Sequence, residues 1–221
     1  GNENIYNRTI SNSLMTASQI YNTISPYGMA TFNRQGAYVR VQYKTKQKIE
    51  INAEYQSLKE IRGQGSNSLR EFSQTKVYAY LPLHEILGLK RHLSIQASNK
   101  MQTAKRNSQE TIENVDLKMN QMSVGLKWEF SDGFELLGGL VSQTNKGVDF
   151  IADRNSYSEV IYFHQDNLNL SQQIKAVGLR YNFSPKVYLA ILYQQSVYKD
   201  QTKTNANFNM NQLGVIYSIT L

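Results

Sequence analysis

The chain has 221 residues, a formal net charge of +7, three prolines and no cysteine. Its mean hydropathy is −0.50, and no segment approaches the roughly 18 consecutive apolar residues of a membrane helix, so the sequence excludes a helical membrane crossing. The lack of cysteine excludes a disulfide-stapled fold and a thiolate metal site.

The first 35 residues are set apart from the rest of the chain. Ile10, Leu14, Ala17 and Tyr21 recur at helical spacing and would suit a short plug or periplasmic helix. The alternative is a first strand near 15–23. The chain begins at Gly1 with no initiator Met and no apolar leader, which indicates a processed chain or a fragment.

Alternation of apolar and polar residues with a period of two recurs after residue 36 and predicts nine strands. The clearest hairpin places Val39 and Val41 on the same face as Ile51 and Tyr55, across a tight turn. With the possible strand near 15–23 the count becomes ten. The predicted strands are 37–44, 48–58, 73–81, 91–103, 115–130, 134–146, 168–183, 187–198 and 208–221.

The connections between these strands alternate between short and long. Asp132-Gly133 between two apolar runs is a strong hairpin signal. The short turns lie at 45–47, 131–133 and 184–186, a slightly longer one lies at 82–91, and the long loops lie near 60–72, 104–114, 146–167 and 199–207. Consecutive strands therefore run up and down, with the short turns at one end of the sheet and the long loops at the other.

The last predicted strand carries an apolar face that ends at the C-terminal residue. A soluble domain seldom finishes in this way, because a terminal strand with a long apolar face invites edge-to-edge aggregation. The residues of this face are Leu213, Val215, Tyr217, Ile219 and Leu221. The strand resembles the final strand of bacterial outer-membrane β-barrel proteins, which alternates in the same way and ends in an aromatic residue that serves as an assembly signal. Leu221 stands in that position here.

The resemblance implies an all-β fold, a transmembrane antiparallel up-and-down β-barrel of about ten strands over residues 36–221, or the C-terminal strands of a larger barrel. It implies the outer membrane of a Gram-negative bacterium, with the short turns in the periplasm and the long loops outside. The implied partners are outer-membrane lipid, lipopolysaccharide, the barrel-assembly machinery and other outer-membrane proteins.

Aromatic residues cluster beside the short turns and are predicted to form a girdle where hydrocarbon meets head groups. The predicted girdle comprises Tyr43, Tyr80, Trp128, Phe130, Phe134, Tyr181, Phe183, Tyr188 and Tyr217. Lysines and arginines near strand ends would meet lipid phosphates or simply face solvent.

Charges of both signs are predicted on the inward face. They either line a selective pore or pair with one another and fill a narrow lumen, and the narrow geometry favours pairing. The predicted network comprises Arg40, Glu50, Glu54, Lys127, Glu129 and Arg180, with Lys44, Lys76, Lys100 and Glu135 on the same face.

No catalytic, cofactor or metal site is predicted. The histidines His84, His92 and His164 fall in a turn, a strand and a loop, so they indicate no shared metal site. A hydrolase at the rim would draw on Asp149, Asp153, His164 and Asp166 in the longest loop, but such loops are usually polar because they are solvated.

A nucleic-acid interface is not expected, because the aromatic residues share a face with aliphatic rather than basic ones. The sequence therefore favours a structural or partner-binding membrane barrel that is not an enzyme. A narrow porin-like channel for ions or small solutes is the alternative, and a soluble β-sandwich or fibre subunit is the main alternative fold.

Overall fold

A computed structural model describes residues 34–63, 66–184, 186–202 and 207–219 of the chain. Nine strands account for most of them, which confirms the nine predicted after residue 36. The strands are β1 (Arg34–Lys44), β2 (Glu50–Glu60), β3 (Glu71–Leu81), β4 (Leu93–Arg106), β5 (Val115–Ser131), β6 (Phe134–Arg154), β7 (Val160–Ser184), β8 (Val187–Asp200) and β9 (Phe208–Ile219). The helix or strand predicted within residues 1–35 lies outside the described residues.

The nine strands form one sheet in sequence order, and every neighbouring pair is antiparallel. The predicted up-and-down topology is therefore confirmed. Strands β1 and β9 are the two edges, and no pairing among the described residues joins them, so closure into a barrel stays a prediction. Because the strand number is odd, β1 and β9 run in the same direction.

Two short helical segments interrupt the strands: α1 (Leu83–Leu87) and a 3₁₀ turn (Thr111–Glu113). Helix α1 follows Pro82 and ends at Gly88, whose φ of 66° lies in the left-handed region that favours glycine. Neither segment has the length or the apolar content to cross a membrane as a helix.

The two faces of the sheet differ sharply in exposure. In β2 the even-numbered residues from Asn52 to Glu60 are buried or half-buried, whereas the odd-numbered ones from Ile51 to Lys59 are exposed. The described elements provide no second layer to cover the buried face. Burial of alternate residues therefore indicates that the sheet curls toward that face, which we call the inner face.

Contacts across several strands support this curvature. Arg70, just before β3, donates from Nη2 to the carbonyl oxygen of Phe150 in β6 at 2.7 Å, although β3 and β6 are three strands apart. In a flat sheet that separation is about 14 Å. Phe150 also packs with apolar residues of β3, β4 and β5, and this cluster comprises Phe72, Ala104, Val115, Leu117 and Phe150.

The prediction of a long loop at 146–167 is wrong. Strands β6 and β7 continue through it and pair from Phe134–Tyr181 out to Arg154–Val160. The turn is closed by Asn155, whose side-chain oxygen accepts hydrogen bonds from the backbone N–H groups of Tyr157 and Glu159. An Asn side chain that bonds its own turn stabilises a tight reversal, so a polar stretch that resembled a loop is the end of a long hairpin.

Candidate functional site

An apolar band crosses the outer face of the sheet. The register links apolar side chains of neighbouring strands into rows, because residues directly opposite share a face. One row spans β3 to β9 and consists of Leu81, Ile95, Leu126, Gly138, Val177, Tyr193 and Leu213. The next row spans β4 to β9 and consists of Leu93, Trp128, Leu136, Leu179, Ile191 and Val215.

The band has a polar border toward the long-loop end. On β5 to β8, two positions beyond Met122, the outer row consists of Asn120, Thr144, Ser171 and Lys199. On β4 the same row still holds the exposed Met101. A soluble protein rarely exposes a contiguous apolar patch larger than a few hundred Å². A band across nearly every strand, ending at a polar border, therefore marks a surface that contacts something apolar.

The C-terminal strand carries the most exposed part of this band. Leu213 is 73% exposed, and Val215, Tyr217 and Ile219 are exposed beside it. The predicted alternation of the last strand is thus confirmed up to Ile219, and Leu221 lies outside the described residues. Strand β9 pairs with β8 on one side only, so both its outer face and one backbone edge are uncovered among the described residues.

Most of the predicted aromatic girdle lies on the outer face near the short turns. Tyr43, Trp128, Phe130, Phe183 and Tyr217 are exposed there. Ring contacts run from Trp128 through Phe130, Phe134 and Tyr181 to Phe183, with centroid separations of 4.5 to 6.1 Å.

Two predicted girdle residues lie on the inner face instead. Tyr80 is paired with Glu50 of the inner row, and Tyr188 packs its ring under the Arg180 guanidinium at 3.8 Å. Tyr80 is next to the outward Leu81, and Tyr188 is next to the outward Leu189. Successive residues of a strand point to opposite faces, so both tyrosines point inward. They are therefore corrected to inner-face residues.

Ion pairs are seen in two parts of the inner face, and the single network predicted there stays a prediction. In the first, Arg40 Nε lies 3.6 Å from Glu54 Oε1, and Lys44 Nζ lies 2.5 Å from Glu50 Oε1. Both pairs join β1 to β2 across the register.

The second group is centred on Glu135 in β6. Its carboxylate lies 2.9 Å from Lys127 Nζ of β5 and 3.7 Å from Arg180 Nε of β7, and the Glu135 side chain is 9% exposed. Glu129 stands directly opposite Glu135 in the register, and no ion pair of Glu129 is recorded among the described residues. One buried carboxylate between two cations is thus the electrostatic centre of this side of the sheet.

Uncharged polar side chains fill much of the remaining inner face. Gln102 donates to Gln74 at 2.6 Å, and Ser98 and Ser123 share a hydrogen bond of 2.7 Å. Buried amides such as Gln194 belong to the same face. The inner face is therefore mixed, because apolar side chains such as Leu137, Val141 and Ile174 are buried beside these hydrogen-bonded polar groups. The outer face, by contrast, carries the apolar band.

A cluster at the long-loop end holds the β6–β7 hairpin against neighbouring loops. Arg106, which is buried, donates from Nε to the Glu113 carbonyl at 2.7 Å and lies over the Phe150 ring. Arg70 pairs with Asp149 at 3.1 Å. Hydroxyl hydrogen bonds from Ser66 and Ser108 hold the pKa of the Glu113 carboxyl below its ordinary value.

Two of the four residues considered for a rim hydrolase come together on this hairpin. His164 Nδ1 lies 2.9 Å from Asp153 Oδ2, whereas Asp149 is engaged by Arg70. The acceptor Asp153 also raises the pKa of the Tyr162 hydroxyl through a hydrogen bond. All four residues lie on paired strands rather than in a loop, and the expectation that they form no catalytic site stays a prediction.

The three histidines lie in different elements from those predicted. His84 in α1 and His92 before β4 have ring centroids 4.0 Å apart, while His164 is on β7. Glu85 pairs with Lys48, and this hydrogen bond and charge lower the pKa of the Glu85 carboxyl. Within the described ranges, no three acidic, histidine or cysteine side chains are close enough to hold a metal ion.

No protein-family model, curated protein or solved structure matches this chain.

Proposed function

We propose that the chain is an integral outer-membrane β-barrel that acts as a structural or partner-binding component. The observation that carries the proposal is the exposed apolar band on the outer face, opposite an inner face that holds the buried polar and charged side chains. A membrane barrel requires this arrangement, because its outside contacts lipid and its inside does not.

The dimensions of the band fit the proposal. On β5 the outward apolar residues run from Met122 to Phe130. At about 3.3 Å per residue this is about 26 Å along the strand, close to the apolar height of about 25 Å in barrels and somewhat less after tilting. The polar parts of β5, β6 and β7 would extend beyond the membrane.

Closure with every neighbouring pair antiparallel would require an odd number of further strands, and one is the smallest such number. An even number lets every neighbour be antiparallel, whereas nine would leave β1 and β9 parallel. The strand predicted near 15–23 would supply the tenth. A strand that crosses hydrocarbon needs about 9 to 11 residues, and 33 residues precede β1.

The experiment is reconstitution of the full chain into lipid vesicles. We expect the protein to float with the vesicles in a density gradient, to resist extraction at high pH, and to migrate differently on a denaturing gel before and after heating. A protein that stays monomeric and fully soluble without detergent or lipid would refute the proposal.

The alternative is a narrow channel, favoured by one observation. The side-chain oxygen and nitrogen of Asn52 and the side-chain oxygen of Gln194 are buried and have no hydrogen-bond partner among the described residues. A hydrated lumen would satisfy such atoms. Paired charges argue for closure, because Lys127, Glu135 and Arg180 span three adjacent strands. We expect negligible conductance in a planar bilayer. Stable single-channel steps whose ion selectivity shifts when Lys127 or Arg40 is neutralised would establish the channel instead.

A further inference from the structure

Charges on the outer face beyond the apolar band are balanced on one half of the sheet. Lys59 of β2 pairs with Glu71 of β3 at 2.9 Å. The register sets Lys105 of β4 opposite both Glu71 and Asp116 of β5. Each of these lysines therefore has a carboxylate beside it on the same face of the sheet.

On the other half of the sheet the outward charges are all positive. Lys146 of β6, Lys175 of β7 and Lys199 of β8 are exposed, and none of the ion pairs seen among the described residues includes them. The outward positions of β6 to β9, from the short turns up to the row of Lys146 and Asn169, contain no aspartate or glutamate. Cations without neighbouring anions create a positive potential that attracts an anionic partner.

Lys146 also faces another lysine. It lies directly opposite Lys118 of β5 in the register, and like charges in that position destabilise a sheet. Lys118 has Asp116 at 3.7 Å, but both side chains are more than half exposed, so this pair offsets the repulsion only weakly. The first carboxylate beyond Lys146 on β6, that of Asp149, is engaged by Arg70 at 3.1 Å. An anion between the two lysines would remove their repulsion.

The lysines extend over a greater height than phospholipid head groups cover. Lys175 lies only two residues beyond the exposed Val177, at the border of the apolar band. Lys146 lies six residues beyond Leu140, the last exposed apolar residue of the band on β6. Six residues correspond to about 20 Å along the strand, or about 15 Å above the border after a tilt of about 40°. The head groups of a phospholipid bilayer occupy only about 5 to 8 Å on each side, so a ligand that reaches both lysines has a taller polar part.

Uncharged hydrogen-bonding side chains lie between the lysines. Asn120 and Thr144 face each other one row nearer the band than Lys118 and Lys146, and Asn169 is directly opposite Lys146. Amides and hydroxyls can donate to and accept from the hydroxyl groups of sugars, while lysine ammonium groups donate charge-assisted hydrogen bonds to phosphate oxygens. The surface thus combines groups that suit sugar with groups that suit phosphate, directly above a surface that suits acyl chains.

We propose that this surface binds a phosphorylated glycolipid of the surrounding leaflet, of the lipopolysaccharide class. The acyl chains contact the apolar band, and the phosphates accept hydrogen bonds from the lysine patch, which comprises Lys118, Lys146, Lys175 and Lys199. A phospholipid would reach only the lowest of these lysines. The inference rests on the membrane-barrel function proposed above and deepens it by assigning the lipid to β5–β8 rather than to the whole circumference.

The test uses the full chain in a nonionic detergent, with bound lipid counted by native mass spectrometry while purified lipopolysaccharide is titrated. Parallel titrations use the same lipopolysaccharide after enzymatic removal of its phosphates, the anionic phospholipid phosphatidylglycerol, and inorganic phosphate alone. We expect the intact lipopolysaccharide to bind at least about tenfold more tightly than each of the other three, because only it combines acyl chains with several phosphates at different heights.

Protein variants locate the site. Lys118→Gln/Lys146→Gln should weaken lipopolysaccharide binding about three- to tenfold, because each exposed charge contact contributes modestly. Lys118→Arg/Lys146→Arg keeps both charges and should bind as the unmodified chain does. The matched control is Lys46→Gln/Lys90→Gln, which removes two exposed lysines at the short-turn end of the sheet and should leave binding unchanged.

Four outcomes would overturn the inference. Equal weakening by the two glutamine variants would mean that only net charge matters, and equal binding of the dephosphorylated lipid would exclude phosphate recognition. Phosphatidylglycerol binding that depends on the same two lysines would assign the patch to phospholipid head groups, and inorganic phosphate that binds as tightly as lipopolysaccharide would assign it to a free anion.

Insertion into lipid vesicles is measured on the same protein samples. Failure of the unmodified chain to insert counts against the membrane proposal. Normal insertion with no difference between the two glutamine variants counts only against the lysine patch.

Discussion

Removal of the Glu135 charge gives the sharpest test of how the inner face is held together. Glu135→Gln keeps the shape of the side chain but leaves Lys127 and Arg180 without their shared anion. Loss of one partner from a buried ion pair costs about 3 to 5 kcal/mol. Here the two cations are 31% and 29% exposed, and Arg180 keeps its hydrogen bond to Asn182, so we expect a smaller loss of about 2 kcal/mol in the free energy of unfolding.

The chain offers its own probe for this measurement. Trp128 is the only tryptophan, and it lies on the outer face next to Lys127, so its fluorescence reports unfolding by urea in detergent micelles. The matched control is Glu129→Gln, which neutralises the neighbouring inner-face carboxylate opposite Glu135. We expect that control to change stability by no more than about 0.5 kcal/mol.

A double variant isolates the interaction itself. In Glu135→Gln/Lys127→Met one of the two unpaired cations is gone, so much of the lost stability should return. If Glu135→Gln unfolds at the same urea concentration as the unmodified chain, or if Glu129→Gln costs as much, the inner-face charges do not act as an ion-paired group and the reasoning fails.

Three further predictions concern the outer face, the last strand and pH. Ile191→Lys, in the middle of the apolar band, should destabilise the lipid-inserted protein by about 2 to 4 kcal/mol, whereas Asn120→Lys beyond the polar border should cost little; equal effects in a vesicle-based unfolding titration would contradict the membrane placement. Removal of residues 217–221 deletes the end of β9 and leaves β8 groups unpaired, each costing several kcal/mol in hydrocarbon, so surface labelling of cells should detect no assembled protein, and normal exposure would refute this. Because the pKa of Glu113 is lowered, its ionised form stabilises the fold above the ordinary glutamate pKa, and this contribution is lost as the pH falls through the lowered value. The difference in unfolding free energy between the unmodified chain and Glu113→Gln should therefore shrink between about pH 6 and pH 3. A constant difference would argue against a role for the charge of Glu113.

The sequence by itself determined the strands and their faces wherever one face is apolar. Alternation has a period of two, and a shift of one residue would move a whole apolar set to the other side. The pattern around Ile51 or Leu213 thus fixes the element and its orientation together. The Asp132-Gly133 turn also predicted that β5 pairs with β6. The φ of 75° at Gly133 is one that glycine adopts readily.

Only the tertiary structure decided the length of the β6–β7 hairpin and the ion pairs around Glu135. Residues 149–166 belong to the paired ends of β6 and β7 and to the turn between them. Many of them are polar, so the sequence pattern resembled a loop although the backbone is paired. The central role of Glu135 depends on which strands are neighbours, because Lys127 and Arg180 are distant in sequence but lie on adjacent strands. Local patterns carry no information on such distances, which are set by the pairing and curvature of the whole sheet.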